Sequence, residues 1–202
     1  MMTLEKLNLQ KAYPEYYNAV TKAKIVNLEP SNYITLSGIC APEDPKFLKA
    51  IEDLYGLAYH IKFISKGNDL DFVVPKMEGF WWVTGDLPFE ETARNDWHWK
   101  IIFRMPDFVG KSEYNEAINQ MIEKGKATNE HDYVFEEIHE GLSAQILHIG
   151  SYDNERETLN QLYQFIEREG FKISGYHHEI YLSDPRKTSE EKLKTILRYA
   201  IQ

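Results

Sequence analysis

The chain has 202 residues and a formal net charge of −9, with 43% hydrophobic and 13% aromatic residues. That apolar content suffices for a folded core and speaks against disorder. The acidity and the lack of any basic run speak against nucleic acid as a partner and suit solubility. No run of about 18 apolar residues exists to span a membrane. A single cysteine, Cys40, removes an intrachain disulfide framework and any thiolate metal cluster and fits a reducing, cytoplasmic setting.

Residues 1–24 read as a helical or extended lead-in broken at Tyr13-Pro14. Met1 to Leu9 carries Glu and Lys with no apolar stretch, so no signal peptide is expected. The first unit runs over 25–106. Residues 33–39 alternate in the manner of a strand. From Pro45, Phe47, Ile51, Leu54, Tyr55 and Ala58 recur at helical spacing to about Lys62, with Pro45 suited to a first turn. Gly67-Asn68 marks a turn, 71–83 an apolar strand turning at Gly85-Asp86, and 97–105 a strand stopped by Pro106.

Residues 107–130 connect, with a helix expected from about Ser112 to Lys124; Ser112 could cap it, but Asn115 stands where a capping box needs Glu or Gln. The second unit, 131–202, repeats the order. Residues 132–149 are strand-like with a turn at Glu140-Gly141. A helix from Asn154, a good N-cap, to Glu169 carries Leu159, Leu162, Tyr163 and Ile166 on one stripe and ends at Gly170. Strands follow over 172–183 and 192–201.

Four correspondences mark an internal repeat: a strand-like run ending at a glycine (Gly38, Gly150), a helical Leu-Tyr pair (Leu54-Tyr55, Leu162-Tyr163), a glutamate beside aromatics (Glu78, Glu179), and Lys-x-x-x-Arg (Lys100 to Arg104, Lys194 to Arg198), in one order. Alternation puts Glu78 with Phe80 and Trp82 on one face of its strand, opposite Trp81, and His177, Glu179 and Tyr181 on one face of theirs. The other face of that second strand, with His178, Ile180 and Leu182, is expected to pack on the helices. A carboxylate held against rings loses hydration and its pKa rises. It could act as a general acid or base or attract a cationic ligand; the residues leave both open. No metal is expected, because none of the seven histidines shows ligand spacing. There is no Gly-rich phosphate loop and no nucleophile elbow. Cys40 reads as a small apolar filler.

The segments Glu78-Gly-Phe-Trp-Trp82, Met105-Pro-Asp-Phe108, Gln145-Ile-Leu-His-Ile-Gly150 and Gly175-Tyr-His-His-Glu-Ile-Tyr-Leu-Ser-Asp184 resemble the GyrI-like small-molecule-binding proteins, in particular the stand-alone subgroup of cyclopropanoid cyclopropyl hydrolases. The resemblance runs from about residue 12 to the end. It implies a single α+β domain of two pseudo-symmetric β-α-β-β repeats with antiparallel strands and a ligand cleft at their junction. It also implies binding of flat aromatic xenobiotics in an aromatic cage, hydrolysis of strained electrophiles and a role in detoxification. The family's pocket glutamate falls on Glu179, with Tyr181 as candidate donor. Trp82, Phe80, Trp81, Trp99, Tyr55, Tyr152, His177 and Glu78 are the candidate ligand-binding residues. No cofactor, nucleic acid or membrane is implied, and the oligomeric state stays open. A protein that binds drugs without turnover is the alternative.

Overall fold

The order strand–helix–strand–strand occurs twice along the chain. A computed structural model describes residues 6–85, 89–127 and 133–202. Residues 1–5, Asp86 of the expected Gly85-Asp86 turn, and residue 132 at the expected start of a strand lie outside the described residues. Two short helices, α1 (Leu9–Ala12) and α2 (Pro14–Tyr17), flank the break at Tyr13-Pro14. β1 (Lys24–Leu28), β2 (Ser31–Ile39), α3 (Pro45–Gly67), β3 (Glu78–Trp82) and β4 (His98–Arg104) follow. Then come α4 (Lys111–Glu123), β5 (Tyr133–Ile138), β6 (Gly141–Ile149), α5 (Glu155–Arg168), β7 (His177–Tyr181) and β8 (Lys194–Ala200). The fold is α+β, and the paired strands are antiparallel. Among the described residues no helix is long and apolar enough to cross a membrane.

Local chemistry explains most element ends. Asp44 caps α3 by accepting from the Lys46 N–H at 2.7 Å, and Pro45 takes a first-turn position whose N–H has no helical acceptor. Gly170 ends α5 at φ +82°, a left-handed conformation that glycine adopts without steric cost. Gly141 holds φ +61° at the turn between β5 and β6. The Glu113 side chain accepts the Gly110 N–H at 2.9 Å, so α4 starts one residue before Ser112. Of the apolar run 71–83 only Glu78–Trp82 is strand. Before Pro75, which has no N–H to give a ladder, the run makes only an isolated bridge, from Phe72 to Leu7, among the described residues.

The chain forms two compact units. Unit 1 takes residues up to Ala12, Ser31–Pro75 and Trp82–Ile138. Its β2 lies between β4 and β5, with Tyr33 opposite Arg104 and Glu136. Leu54, Leu57, Ala58 and Ile61 of α3 and Ile34, Ile101 and Phe103 of the strands are fully buried. Unit 2 takes Tyr13–Pro30, Lys76–Trp81 and His139–Gln202. Its strand order is β1-β6-β8-β7-β3. Leu162 and Ile166 of α5 pack on Ala144, Ile146, Leu197, Tyr199 and Ile201. The contacts thus group Glu78–Trp81 with the strands of the second repeat.

Candidate functional site

Register decides what meets what in unit 2. Glu78 lies opposite Ile180, Gly79 opposite Glu179, Phe80 opposite His178 and Trp81 opposite His177. Directly paired residues share a face. Glu78, Phe80 and His178 therefore point one way, and Trp81, His177, Glu179 and Tyr181 the other. The two glutamates that look equivalent in the repeat lie on opposite faces. β8 extends both sets, with Arg198 beside His178 and Leu197 beside Glu179. Since α5 packs on Leu197 and Tyr199, it covers the face of Glu179. The expectation that helices pack on the His178 face holds only for the short α2, whose Tyr16 and Tyr17 reach Glu78; the long helix α5 packs on the Glu179 side, where Ala144, Ile146, Leu197 and Tyr199 lie.

The His178 face holds a buried chain of charges. Glu78 and His178 are fully buried. Tyr16 donates to Glu78 Oε2 and Tyr17 to Oε1 at 3.4 Å. His178 reaches Glu78 through Nε2 and Glu140 through Nδ1, each at 3.0 Å. Both acceptors are carboxylates, so both ring nitrogens donate and the ring is an imidazolium. Burial alone would lower the His178 pKa, but Glu140 and Glu78 outweigh it and hold it above its ordinary value. Phe80 stacks on the ring at 4.2 Å. Arg198 donates to Glu140 at 3.2 Å, twice to Gln145 Oε1 at 3.0 and 2.8 Å, and to the Tyr16 carbonyl. Burial would raise the Glu140 pKa, yet the His178 and Arg198 charges bring it down to about 2. Two carboxylates alternate with two cations. Each charge is compensated, as burial demands.

The Glu179 face is organised differently. His177 Nε2 donates to Glu179 Oε1 at 2.9 Å. Tyr181 accepts the Trp81 indole N–H at 3.0 Å. Tyr152 meets Tyr181 edge-on at 5.8 Å, and Tyr199 lies 5.1 Å from the His177 ring. Gly79 makes room for this arrangement. A Cβ there would stand 3.1 Å from Trp81 Nε1 and 3.2 Å from the Tyr181 hydroxyl. From the start of α5, Glu155 brings a second carboxyl. It is 6% exposed, and its Oε1 has no hydrogen-bond partner. Burial first, and the Glu179 charge second, push its pKa up to about 10, so it is neutral at pH 7. Burial and the same carboxylates raise Tyr152 to about 12 and put Tyr181 well above the phenol range. The face therefore offers one exposed-edge base, Glu179, ringed by protonated donors and aromatic surface.

The structure brings together Glu179, Tyr181, His177, Trp81 and Tyr152 of the expected set. Glu78 and Phe80 lie on the opposite face of the same strands. Trp82, Trp99 and Tyr55 belong to unit 1. There Trp82 stacks on His98 at 5.3 Å, Trp99 packs edge-on against Phe47 at 5.1 Å, and Tyr55 packs against Phe103 at 4.6 Å. Sequence reasoning missed Glu155, Glu140, Gln145, Tyr16 and Tyr17, and singled out Arg198 only as part of a repeat. Glu155 looks like an ordinary first-turn glutamate favoured by the helix dipole, and no local pattern distinguishes it. An open dent of about 370 Å³ in unit 1, lined by Phe63, Ile64, Gly67, Asn68, Glu116 and Gln120, carries a single carboxylate and no comparable chemistry.

Comparison with known proteins bears on the family and the fold. Among curated proteins no match was found. A crystal structure of an uncharacterized conserved protein from Listeria innocua superposes with a TM-score of 0.90 at 32% identity, covering 98% of this chain and 100% of that one. A crystal structure of a hydrolase from Listeria innocua gives 0.85 at 32% identity with the same coverage. The C-terminal domain of EcmrR shares the fold alone, at 14% identity and a TM-score of 0.57 over 90% of this chain and 97% of that one. A family model for the GyrI-like small molecule binding domain matches residues 21–201, and the chain belongs to that family.

Proposed function

We propose that the protein binds flat aromatic xenobiotics against Trp81, Tyr152 and Tyr181 and hydrolyses strained electrophiles of the cyclopropanoid alkylating class, with Glu179 as general base. The observation that carries this reading is the setting of Glu179. It is a carboxylate oriented by His177, beside a neutral Glu155 and aromatic rings. Two solved structures from Listeria innocua, each 32% identical to this chain, are described as of a hydrolase, which favours turnover.

The chemistry asks little of the protein. Water adds its oxygen to the methylene carbon of a cyclopropane fused to a dienone. The carbon–carbon bond breaks, and its electron pair passes into the ring as it aromatises to a phenolate. Glu179 takes the proton from the water, and solvent protonates the phenolate. His177 holds the carboxylate in one orientation, so little is reorganised when the water attacks. Tyr181 has one proton to use. Directed to Glu179 it orients the base; turned to substrate it stabilises charge growing on the ring oxygen.

The second reading is binding without turnover, supported by the family's description as a small-molecule-binding domain. Incubation with a cyclopropane-fused dienone separates the two. Ring-opened product in excess over protein excludes sequestration alone. Equal rates for the wild type and Glu179→Gln sink the general-base assignment.

A further inference from the structure

Glu155 stands beside the proposed base and has no part in the step assigned to it. One oxygen of Glu155 and one of Glu179 lie within 4.8 Å of each other. Glu155 is 6% exposed, and its buried Oε1 has no hydrogen-bond partner. An acceptor buried without a donor is costly, so folded proteins rarely keep one. Two N–H donors of this face are committed elsewhere. His177 gives its Nε2 hydrogen to Glu179, and Trp81 gives its indole hydrogen to Tyr181. Water is the donor that the proposed reaction itself brings to this place.

We propose that Glu155 positions the water that Glu179 activates, by accepting the hydrogen that Glu179 does not take. The role rests on the reading of Glu179 as general base. The spacing fits it. Two acceptors about 2.8 Å from one water oxygen, set at about the tetrahedral angle, stand about 4.6 Å apart, and the two glutamates offer oxygens within 4.8 Å. Both hydrogens of the water are then held by carboxyl groups, and its lone pairs are left for the electrophile. The two carboxyl groups do not compete for the proton. Burial and the Glu179 charge keep Glu155 protonated at pH 7. With that proton on Oε2, Oε1 is a carbonyl oxygen and only accepts, while the charged Glu179 takes a proton outright. In the step, the water oxygen bonds to the methylene carbon. One of its hydrogens passes to Glu179, and the other stays on the new hydroxyl, so Glu155 ends unchanged. The electron pair of the broken carbon–carbon bond goes to the ring as phenolate, which solvent protonates.

Steady-state hydrolysis of a cyclopropane-fused dienone by the full-length protein tests this, with variants checked for folding by circular dichroism. Glu155→Leu removes the acceptor. It should lower kcat by about 100-fold with KM unchanged, the cost of a nucleophile displaced by about 1 Å. Glu155→Met serves in its place should the leucine variant fail to fold. Glu155→Gln keeps a carbonyl oxygen at the same reach and should recover most of the lost rate. A crystal structure should show one ordered water within about 3 Å of an oxygen of each glutamate. A leucine variant that matches the wild type, or that changes KM alone, overturns the proposal. So does a glutamine variant as slow as the leucine one, which would make the Glu155 proton the working part. A wild type without turnover removes the hydrolase reading and this role with it. Turnover by the wild type therefore tells the two failures apart.

Discussion

Replacing Arg198 by Met tests whether the buried charges of unit 2 act as one compensated chain. Arg198 is fully buried and supplies Glu140, Gln145 and the Tyr16 carbonyl with donors while lying 4.4 Å from the Tyr16 ring. Methionine keeps much of the volume and removes every one of those donors. Glu140 then keeps His178 but loses one of its two cations. Breaking a buried ion pair from one side costs about 3–5 kcal/mol, and stranding a buried carbonyl costs about 1–3 kcal/mol more. Contacts that share partners do not add, so we expect a loss of about 4 kcal/mol, a large part of the roughly 5–15 kcal/mol that stabilises a typical domain. With a urea slope of about 3 kcal/mol/M for a chain of this size, the midpoint falls by about 1.3 M. Far-UV circular dichroism follows the transition, and amide exchange at β6, β7 and β8 assigns it to unit 2. Glu140→Gln should cost less in the Arg198→Met background than in the wild type, since the charge it removes is already half-stranded. A loss below about 1 kcal/mol, or strictly additive variants, would refute the reasoning.

The same chain makes stability depend on pH. Glu140 is held at about 2 against an ordinary 4.5. Its pKa is depressed on folding, so its contribution is fully present above pH 4.5 and is lost as the pH falls toward 2, amounting to about 3 kcal/mol. Glu140→Gln should flatten that acid limb in a thermal-unfolding series. His178 is raised above 6.5 by Glu140 and Glu78. Its contribution is therefore present below pH 6.5 and is lost as the pH rises through its elevated value, and NMR of the ring should find it protonated at pH 7. Gly79→Ala should push Trp81 and Tyr181 apart by a few tenths of an ångström, cutting the proposed hydrolysis by roughly tenfold with a stability loss near 1 kcal/mol; an unchanged rate would remove Trp81–Tyr181 from the proposed site. Gly38→Ala sets a Cβ 2.3 Å from Trp99 Cζ2. It should destabilise unit 1 by about 2 kcal/mol in urea titration.

Much of the architecture was legible in local patterns because it is set by local forces. Pro45 after Asp44 starts α3 and Gly170 ends α5, both through steric and hydrogen-bonding rules that act within a few residues. Alternation also placed His177, Glu179 and Tyr181 on one face correctly, since side-chain parity is a property of a single strand. What alternation along one strand does not contain is the register between strands. A shift of one residue between β3 and β7 would have put Glu78 or Phe80 beside Glu179 instead of Gly79 and Trp81. That register follows from burying the apolar face of the whole sheet, a property of all its strands together. Glu155 is the clearest case: in sequence it is an ordinary first-turn glutamate, 24 positions before Glu179. Only the packing of α5 on Leu197 and Tyr199 buries it against a second carboxylate and an imidazole. Sequence alone determined the elements, the doubled order and the glutamate among aromatics. Tertiary structure decided which face that glutamate occupies and which charges it meets, because burial and cross-strand pairing couple residues far apart in the chain.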